Sequence, residues 1–409
     1  MRRFIPLLAL LTACTSGPVD APPVADVTAS ADTAGDTTEP PALEALVVHE
    51  WGTFTVFVGS DGEMVEGLHH AEVPLPDFVD QRSLGPEGSD ADEIMPALAT
   101  TKLQNPALYL HSPDPGDVTI NLAFPKGVLT RSWPPFDAST PTRGALQSLS
   151  GGQASWDLEA APVDPSLEQI SDTGLWAPMR TVDATALRAA GGDELFLFHG
   201  GIGRLELPVT LSTDPTNEQH VNVTPTTPLT RAWYVYVHEG GGVLYDLGEV
   251  EGPASFLETP TPKETNPFVF VEDATDAIEA ALVEEGLYAD EAAALVATWS
   301  HTVFSTHGKR LLCILPQSWT DVTLPVTVNP PPQAHERVFV GRVEFLSSTR
   351  ETALLEELET AMKEDAGDAL ITAWGPFAEP RLRRLEALVD TPELEAYAED
   401  LIAQAAVAP

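Results

Sequence analysis

The sequence predicts an α+β fold: a β-rich, sandwich-like body that carries a helical pair and ends in a helical tail. Three observations predict it. From residue 44 to about 272 the chain runs through short stretches of β-branched and aromatic residues separated by Gly and Pro. The hydrophobic period then lengthens to that of a helix between 274 and 304, and again over 347–409. Only two cysteines occur in 409 residues, so no disulfide framework is available and a packed core must hold the fold.

The elements follow in order. LVVHEW and TFTVFV read as strands interrupted by Gly52, and Gly59-Ser60-Asp61-Gly62 closes them with a turn. Residues 63–104 are turn-rich. ALYLHS (107–112), DVTINLAF (117–124) and GVLTRSW (127–133) are strands, the last stopped by Pro134-Pro135. Residues 137–185 are polar and loop-like, with a short strand at ASWDLE (154–159). ELFLFHGG and RLELPVTL read as a hairpin turning at Gly200, Gly201 and Gly203. LTRAWYVYVH alternates, with Trp233, Val235 and Val237 on one face and Tyr234, Tyr236 and His238 on the other; Gly240-Gly241-Gly242 then turns it into VLYDLGEV.

In the helical pair, Ile278 and Leu282 lie one turn apart and Gly286 stops the first helix. Leu295, Val296, Trp299 and Val303 form the apolar stripe of the second. KRLLCILP, DVTLPVTV and ERVFVGRVEFL return to strand. Cys313, inside an apolar run, reads as a buried small hydrophobe. Ser348 and Glu351 have capping-box spacing ahead of Leu354, Leu355, Leu358 and Met362. A further helix is expected near 379–389. Thr391-Pro392 starts the last one, whose apolar side carries Leu394, Tyr397, Leu401 and Ile402.

The first residues differ from all of this. Arg2 and Arg3 precede an apolar run from Phe4 to Leu11 that is too short to span a bilayer, followed by Leu11-Thr12-Ala13-Cys14. This resembles the signal peptide and lipobox of bacterial lipoproteins. The resemblance implies cleavage after residue 13, lipidation of Cys14 and a cell-envelope protein anchored in the membrane by lipid. Thr15 stands where an aspartate would signal inner-membrane retention, so the outer membrane is the expected address. Residues 14–43 are rich in Pro, Ala, Thr and Asp, with no aromatic or basic residue. Such a segment buries too little apolar surface to offset its chain entropy, and it reads as a disordered linker. The β-rich domain is then expected over 44–346.

Charge narrows the function. Sixty-two acidic residues face 21 basic ones, a formal charge of −41. Such a chain repels phosphate backbones, which excludes nucleic acid as a partner. The acids are spread along the chain, as solubility requires, and form no single block.

Few residues suggest chemistry. His49 and Glu50 lack the second histidine of a zinc-protease helix, since position 53 is Thr; as neighbours on a strand they point to opposite faces. His199-Gly200-Gly201-Ile202-Gly203 has the look of an oxyanion loop, but no G-x-S-x-G elbow accompanies it. His69 and His70, with Glu72 and Asp77 nearby, are candidate metal ligands or else exposed loop histidines. His301 and His307 follow Trp299 as candidate ligands or polar neighbours. Arg342 and Glu344 share a strand face beyond Arg337, a spacing that suits mutual pairing or the binding of an anion, with a surface salt bridge the expected form. Walker A, dinucleotide and C-x-x-C motifs are missing.

Several segments together, HEWGTF (49–54), NPALYLHS (105–112), ELFLFHGGIG (194–203), EEGLYADEAAALVATW (284–299) with F-x₃-G-x-R at 304–310, and LPVTVNPPPQAHERVFVGRVE (324–344), resemble a family of uncharacterised exported bacterial proteins. The likeness runs from about 47 to 385 and implies no activity. One departure is visible. Where the family often carries Lys-Met-Glu-Thr-Pro, this chain reads Lys102-Leu103-Gln104-Asn105-Pro106, without the acid.

Two functional expectations follow. The first is a non-catalytic binding or structural module held at the envelope, with its protein or glycan partner, cofactor and oligomeric state left open. The alternative is an exported, metal-assisted hydrolase in which His49, Glu50 and His199 or His301 meet in one cleft.

Overall fold

The computed structural model describes residues 45–82, 98–142, 148–161, 176–259, 266–299 and 302–406. Cys14, the 14–43 linker and His301 lie outside the described residues. All the described residues belong to one unit, Ala42–Pro409.

The strands are β1 (Val47–Val58), β2 (Asp80–Gln81), β3 (Thr101–His111), β4 (Gly116–Phe124), β5 (Gly127–Trp133), β6 (Ala138–Thr140), β7 (Gly152–Ala161), β8 (Ala186–Ala189), β9 (Gly192–Glu194), β10 (Leu197–Gly203), β11 (Val209–Asp214), β12 (Asn217–Pro225), β13 (Leu229–His238), β14 (Gly241–Val250), β15 (Ala254–Leu257), β16 (Gly308–Leu315), β17 (Val326–Asn329) and β18 (Ala334–Phe345). The helices are α1 (Trp176–Met179), α2 (Pro267–Glu284), α3 (Ala289–Ala297), α4 (Gln317–Thr323), α5 (Ser348–Glu364), α6 (Gly367–Trp374), α7 (Ala378–Glu386) and α8 (Pro392–Ala406). The fold is α+β.

A nine-stranded sheet in the order β14-β13-β16-β18-β1-β3-β10-β5-β2 forms the centre. A three-stranded sheet (β11-β12-β15) and a smaller sheet built on β17-β4-β7-β8-β9 pack against one face. Val48, Phe54 and Val56 of β1 meet Ile120, Trp156, Leu211 and Val223 of the smaller sheets there, which is the sandwich. On the opposite face, Phe270, Ile278 and Leu282 of α2 and Leu295 and Val296 of α3 pack on Trp51, Trp233, Leu312 and Val340. A third core joins Phe57, Leu68 and Leu346 to Leu354, Trp374, Leu382 and Leu401 of the C-terminal helices. β1 is therefore buried on both faces, which explains its near-continuous apolar run.

β1 and β18 pair in parallel, with Glu50 beside Arg337, Gly52 beside Phe339 and Thr55 beside Arg342. β3 flanks β1 on the other side, antiparallel. Two segments that carry the sequence resemblance thus lie side by side at the middle of the sheet.

Several sequence expectations need correction. β1 is one strand: Gly52 does not interrupt it but admits the Phe339 ring, since a Cβ there would lie 2.7 Å from Phe339 Cε1 and 3.0 Å from Pro106 Cα. The 194–211 hairpin does not form. β10 lies between β3 and β5, whereas β11 belongs to another sheet. The glycines of β10 instead allow close strand approach, a Cβ at Gly201 falling 2.4 Å from the Val128 carbonyl oxygen. Asp321, Val322 and Thr323 are helical in α4 rather than extended. α2 begins at Pro267, capped by the Asn266 side chain, earlier than periodicity alone places it. The N-cap of α5 is Ser347 and no capping box forms, because Glu351 turns away to Ser60 and Arg384. The alternation of β13, the stop at Gly286, the burial of Cys313 and the start of α8 at Pro392 are as read from the sequence.

Candidate functional site

The sheet face that carries Trp51 changes character along β1. Between the cover of α2 and α3 and that of the C-terminal helices, the inward residues become polar: Thr53 and Thr55 on β1, Gln104 and Lys102 paired with them on β3, and Arg342 and Glu344 on β18. Arg310 of β16 pairs with Glu344. Glu72 reaches the same patch from the loop that follows β1.

These groups form one buried network. Arg342, 2% exposed, donates from Nε to Glu344 Oε1 at 2.7 Å and from Nη1 to Glu72 Oε2 at 2.9 Å. Arg310 donates from Nε to the same Glu344 oxygen at 2.7 Å, and from its Nη atoms to the Val303 and Thr306 carbonyls. Lys102 Nζ donates to the His70 carbonyl at 2.8 Å and to Glu72 Oε1 at 3.2 Å. Gln104 donates to Glu72 Oε1 at 2.8 Å and accepts from Thr55 Oγ1. Burial pushes the Glu72 carboxyl up, but Arg342 and Lys102 outweigh it and hold it at about 2. Burial lowers the Lys102 ammonium, and Arg342 and Arg131 lower it further.

Charge in this network does not balance. Lys102, Arg310 and Arg342, with the half-buried Arg131 beside them, supply four cations against the carboxylates of Glu72 and Glu344. Arg131 has no hydrogen-bond or ion-pair partner among the described residues, and burial alone lowers its guanidinium. Arg342 Nη2 is buried with no partner either. Both arginines line a largely enclosed void of about 30 Å³, with Gln104, Asn105, Trp299 and Thr302 around it. That space accommodates a small oxyanion or carboxylate, or a pair of waters. A bulge in β3 opposite Gly52, with Asn105 at φ +50°, brings Asn105 to the wall.

The residues singled out from sequence fall into separate places. Glu50 lies on the other sheet face, fully buried, accepting from Arg337 Nε at 2.7 Å and sitting 2.9 Å from His199 Nε2. Burial pushes its carboxyl up, but Arg337 and His199 prevail and hold it at about 2. Arg337 also donates to Asp321 and to the Leu324 carbonyl. This is a satisfied buried ion pair. His49 is buried on the face of Trp51, where His49 Nδ1 lies 2.7 Å from Glu291 Oε2; His111 Nε2 lies 2.9 Å from Glu291 Oε1. His69 and His70 are not the exposed loop histidines expected. Both are half-buried against Glu379 of α7, at 3.6 and 3.2 Å, and Arg383 occupies the other carboxylate oxygen. Burial, then His70, lowers His69 to about 4. His307 is exposed.

Arg342 and Glu344 do pair, as read, but in the interior and not at the surface. The sequence reading assumed a solvated strand face, and β18 has none. Arg131, His111, Tyr288, Glu291 and Glu379 were not singled out. For the charged and histidine residues among them the one sequence signal is such a side chain inside a segment otherwise suited to burial, which names no partner, and Tyr288 carries no such signal.

No protein-family model matches the chain, and no curated protein matches it. Among solved structures it is similar to the yeast delta-COP-I mu-homology domain, at 8% identity and a TM-score of 0.28, covering 74% of this chain and 98% of that one. It is also similar to the yeast delta-COP-I mu-homology domain complexed with a Dsl1 WxWxV peptide, at 7% identity and a TM-score of 0.27, with coverage of 74% and 98%. At such scores the architecture stands on the strands and helices themselves.

Proposed function

We propose that this chain is a lipid-anchored envelope protein whose β-rich domain binds a small anionic ligand, a carboxylate or oxyanion, between Arg131 and Arg342. The observation that carries the binding reading is the surplus of buried cations around the void. An uncompensated buried charge is strongly unfavourable, and a guanidinium is matched best by a planar, bidentate oxyanion. The site offers recognition and no nucleophile–base pair: the threonines beside it engage Gln104 and Trp299. The dispersal of His49, Glu50 and His199 over two sheet faces favours a binding module over the hydrolase. The anchor rests on the lipobox resemblance at Cys14.

Thermal unfolding tests the ligand. Phosphate, sulfate, acetate and succinate are each compared with sodium chloride at matched ionic strength. At one hundred times Kd a bound anion adds about 2.7 kcal/mol, a shift of several degrees in Tm. Arg131→Met should abolish that shift while leaving the fold intact. If no anion raises Tm above the chloride control, the reading fails. Fractionation tests the anchor: Cys14→Ser should move the protein from the membrane pellet to the soluble fraction, and a variant that stays in the pellet contradicts lipidation.

A further inference from the structure

Eight carboxylates are buried in the described core, and seven have an arginine or lysine on them: Glu50, Glu72, Glu194, Glu258, Glu344, Glu351 and Glu379. Glu291 is the eighth. It is 0% exposed, and its only ionic partners among the described residues are two imidazoles, His49 and His111. The three side chains come from three elements. His49 stands on β1, His111 on the neighbouring strand β3, and Glu291 in the first turn of α3, where it also accepts the Tyr288 backbone N–H at 2.8 Å.

We propose that His49, His111 and Glu291 bind one divalent transition-metal ion of the zinc class. One ligand atom from each of His49, His111 and Glu291 lies within 4.8 Å of the other two, and His49 Nδ1 and His111 Nε2 already sit 2.7 and 2.9 Å from the two carboxylate oxygens. Zinc takes imidazole nitrogen at about 2.0–2.1 Å and carboxylate oxygen at about 2.0–2.2 Å, and two histidines with one glutamate are a recurrent zinc set. Two nitrogens on one ion stand no more than about 4 Å apart, so the ligand atoms need to close by only a small distance. The ion supplies the positive charge that the other seven carboxylates receive from arginine or lysine.

Access is present. His111 and Tyr288 line an open cleft of about 500 Å³ that Asp114 and Asp183 also border, and those two acids draw cations toward it. Tyr288 leans over both imidazoles, with ring centroids 4.4 Å from His49 and 4.8 Å from His111. Three protein ligands leave a fourth position open to the cleft. The other histidine–carboxylate group, His69, His70 and Glu379, is a poorer site. Arg383 already sits 2.7 Å from Glu379, and its charge repels a second cation.

The test uses the full chain, stripped with a chelator and titrated with Zn²⁺ and with Co²⁺, whose visible bands report imidazole–carboxylate coordination. One ion per chain by native mass spectrometry, with a raised Tm, is the expected result. His111→Ala, at the rim of the cleft, should weaken binding by at least about tenfold, since even groups behind the ligands have effects of that size. Glu291→Gln, which keeps the shape of the side chain, should remove the cobalt spectrum. A paired His69→Ala and His70→Ala variant should bind as the parent does. Failure of the stripped chain to take up either ion overturns the proposal. So does affinity unchanged by His111→Ala, or binding lost in the His69/His70 variant instead.

Discussion

Glu50 shows how completely a side chain can be misjudged in role while being rightly placed in direction. The strand alternation of β1 sends it away from His49, and the structure keeps them on opposite sheet faces. What alternation cannot supply is the partner: Arg337 is 287 residues away and His199 is 149. Glu50→Gln should therefore act as a stability mutation. It leaves Arg337 buried with its strongest anion gone, at a cost of about 3–5 kcal/mol. Urea unfolding measures it, and a loss below about 1 kcal/mol would show that Asp321 suffices for Arg337. Arg342 and Glu344 repeat the lesson. Their mutual pairing was legible from i, i+2 spacing on a strand. Their burial was not, because a strand covered on both faces and one solvated on a single face differ only in what packs above them.

At the scale of elements, the strongly patterned segments were readable and their boundaries less so. β13 alternates by residue, and its two faces divide as read, with Trp233, Val235 and Val237 in one core and Tyr234 in the other. The glycines of β10 were readable as special but not in kind. Turn and close strand contact both call for a missing Cβ, and only the neighbouring strand decides between them. The start of α5 is a sharper case. Ser348 and Glu351 have the spacing of a capping box, yet Glu351 receives the Ser60 N–H at 2.8 Å, the Ser60 hydroxyl at 2.6 Å and Arg384 Nε at 2.6 Å. A tertiary contact has taken the residue that local sequence assigns to the helix end. Ser348→Ala should then change stability by less than about 0.5 kcal/mol, well under the effect of losing a working N-cap. Glu351→Ala should cost about 1–3 kcal/mol through the unpaired Ser60 N–H and Arg384. Equal losses in the two variants, by thermal or urea unfolding, would restore the capping-box account.

At the scale of the whole molecule, the charge that composition reports and the charge gathered around the void beside Arg342 have opposite sign. The formal total is −41, while the void beside Arg342 gathers an excess of cations. Summed composition located the first and hid the second. Acid response follows from the interior. Glu50 and Glu72 ionise at about 2 when folded against an ordinary 4.5, so the unfolded chain binds their protons more readily. Their stabilisation is fully present above about pH 4.5 and is lost as pH falls toward 2. Tm should hold steady down to about pH 5 and decline below 4.5; a flat Tm to pH 2.5 would mean these pairs contribute little. The parallel pairing of β1 with β18 has a consequence for synthesis. β3 can pair with β1 early, but the other neighbour of β1, β18, is made late, so a nascent polypeptide carries an apolar β1 with that edge unmated until most of the chain is made. Contacts spanning such separations form slowly, and in that interval a chaperone holding β1 would guard it against pairing with another copy.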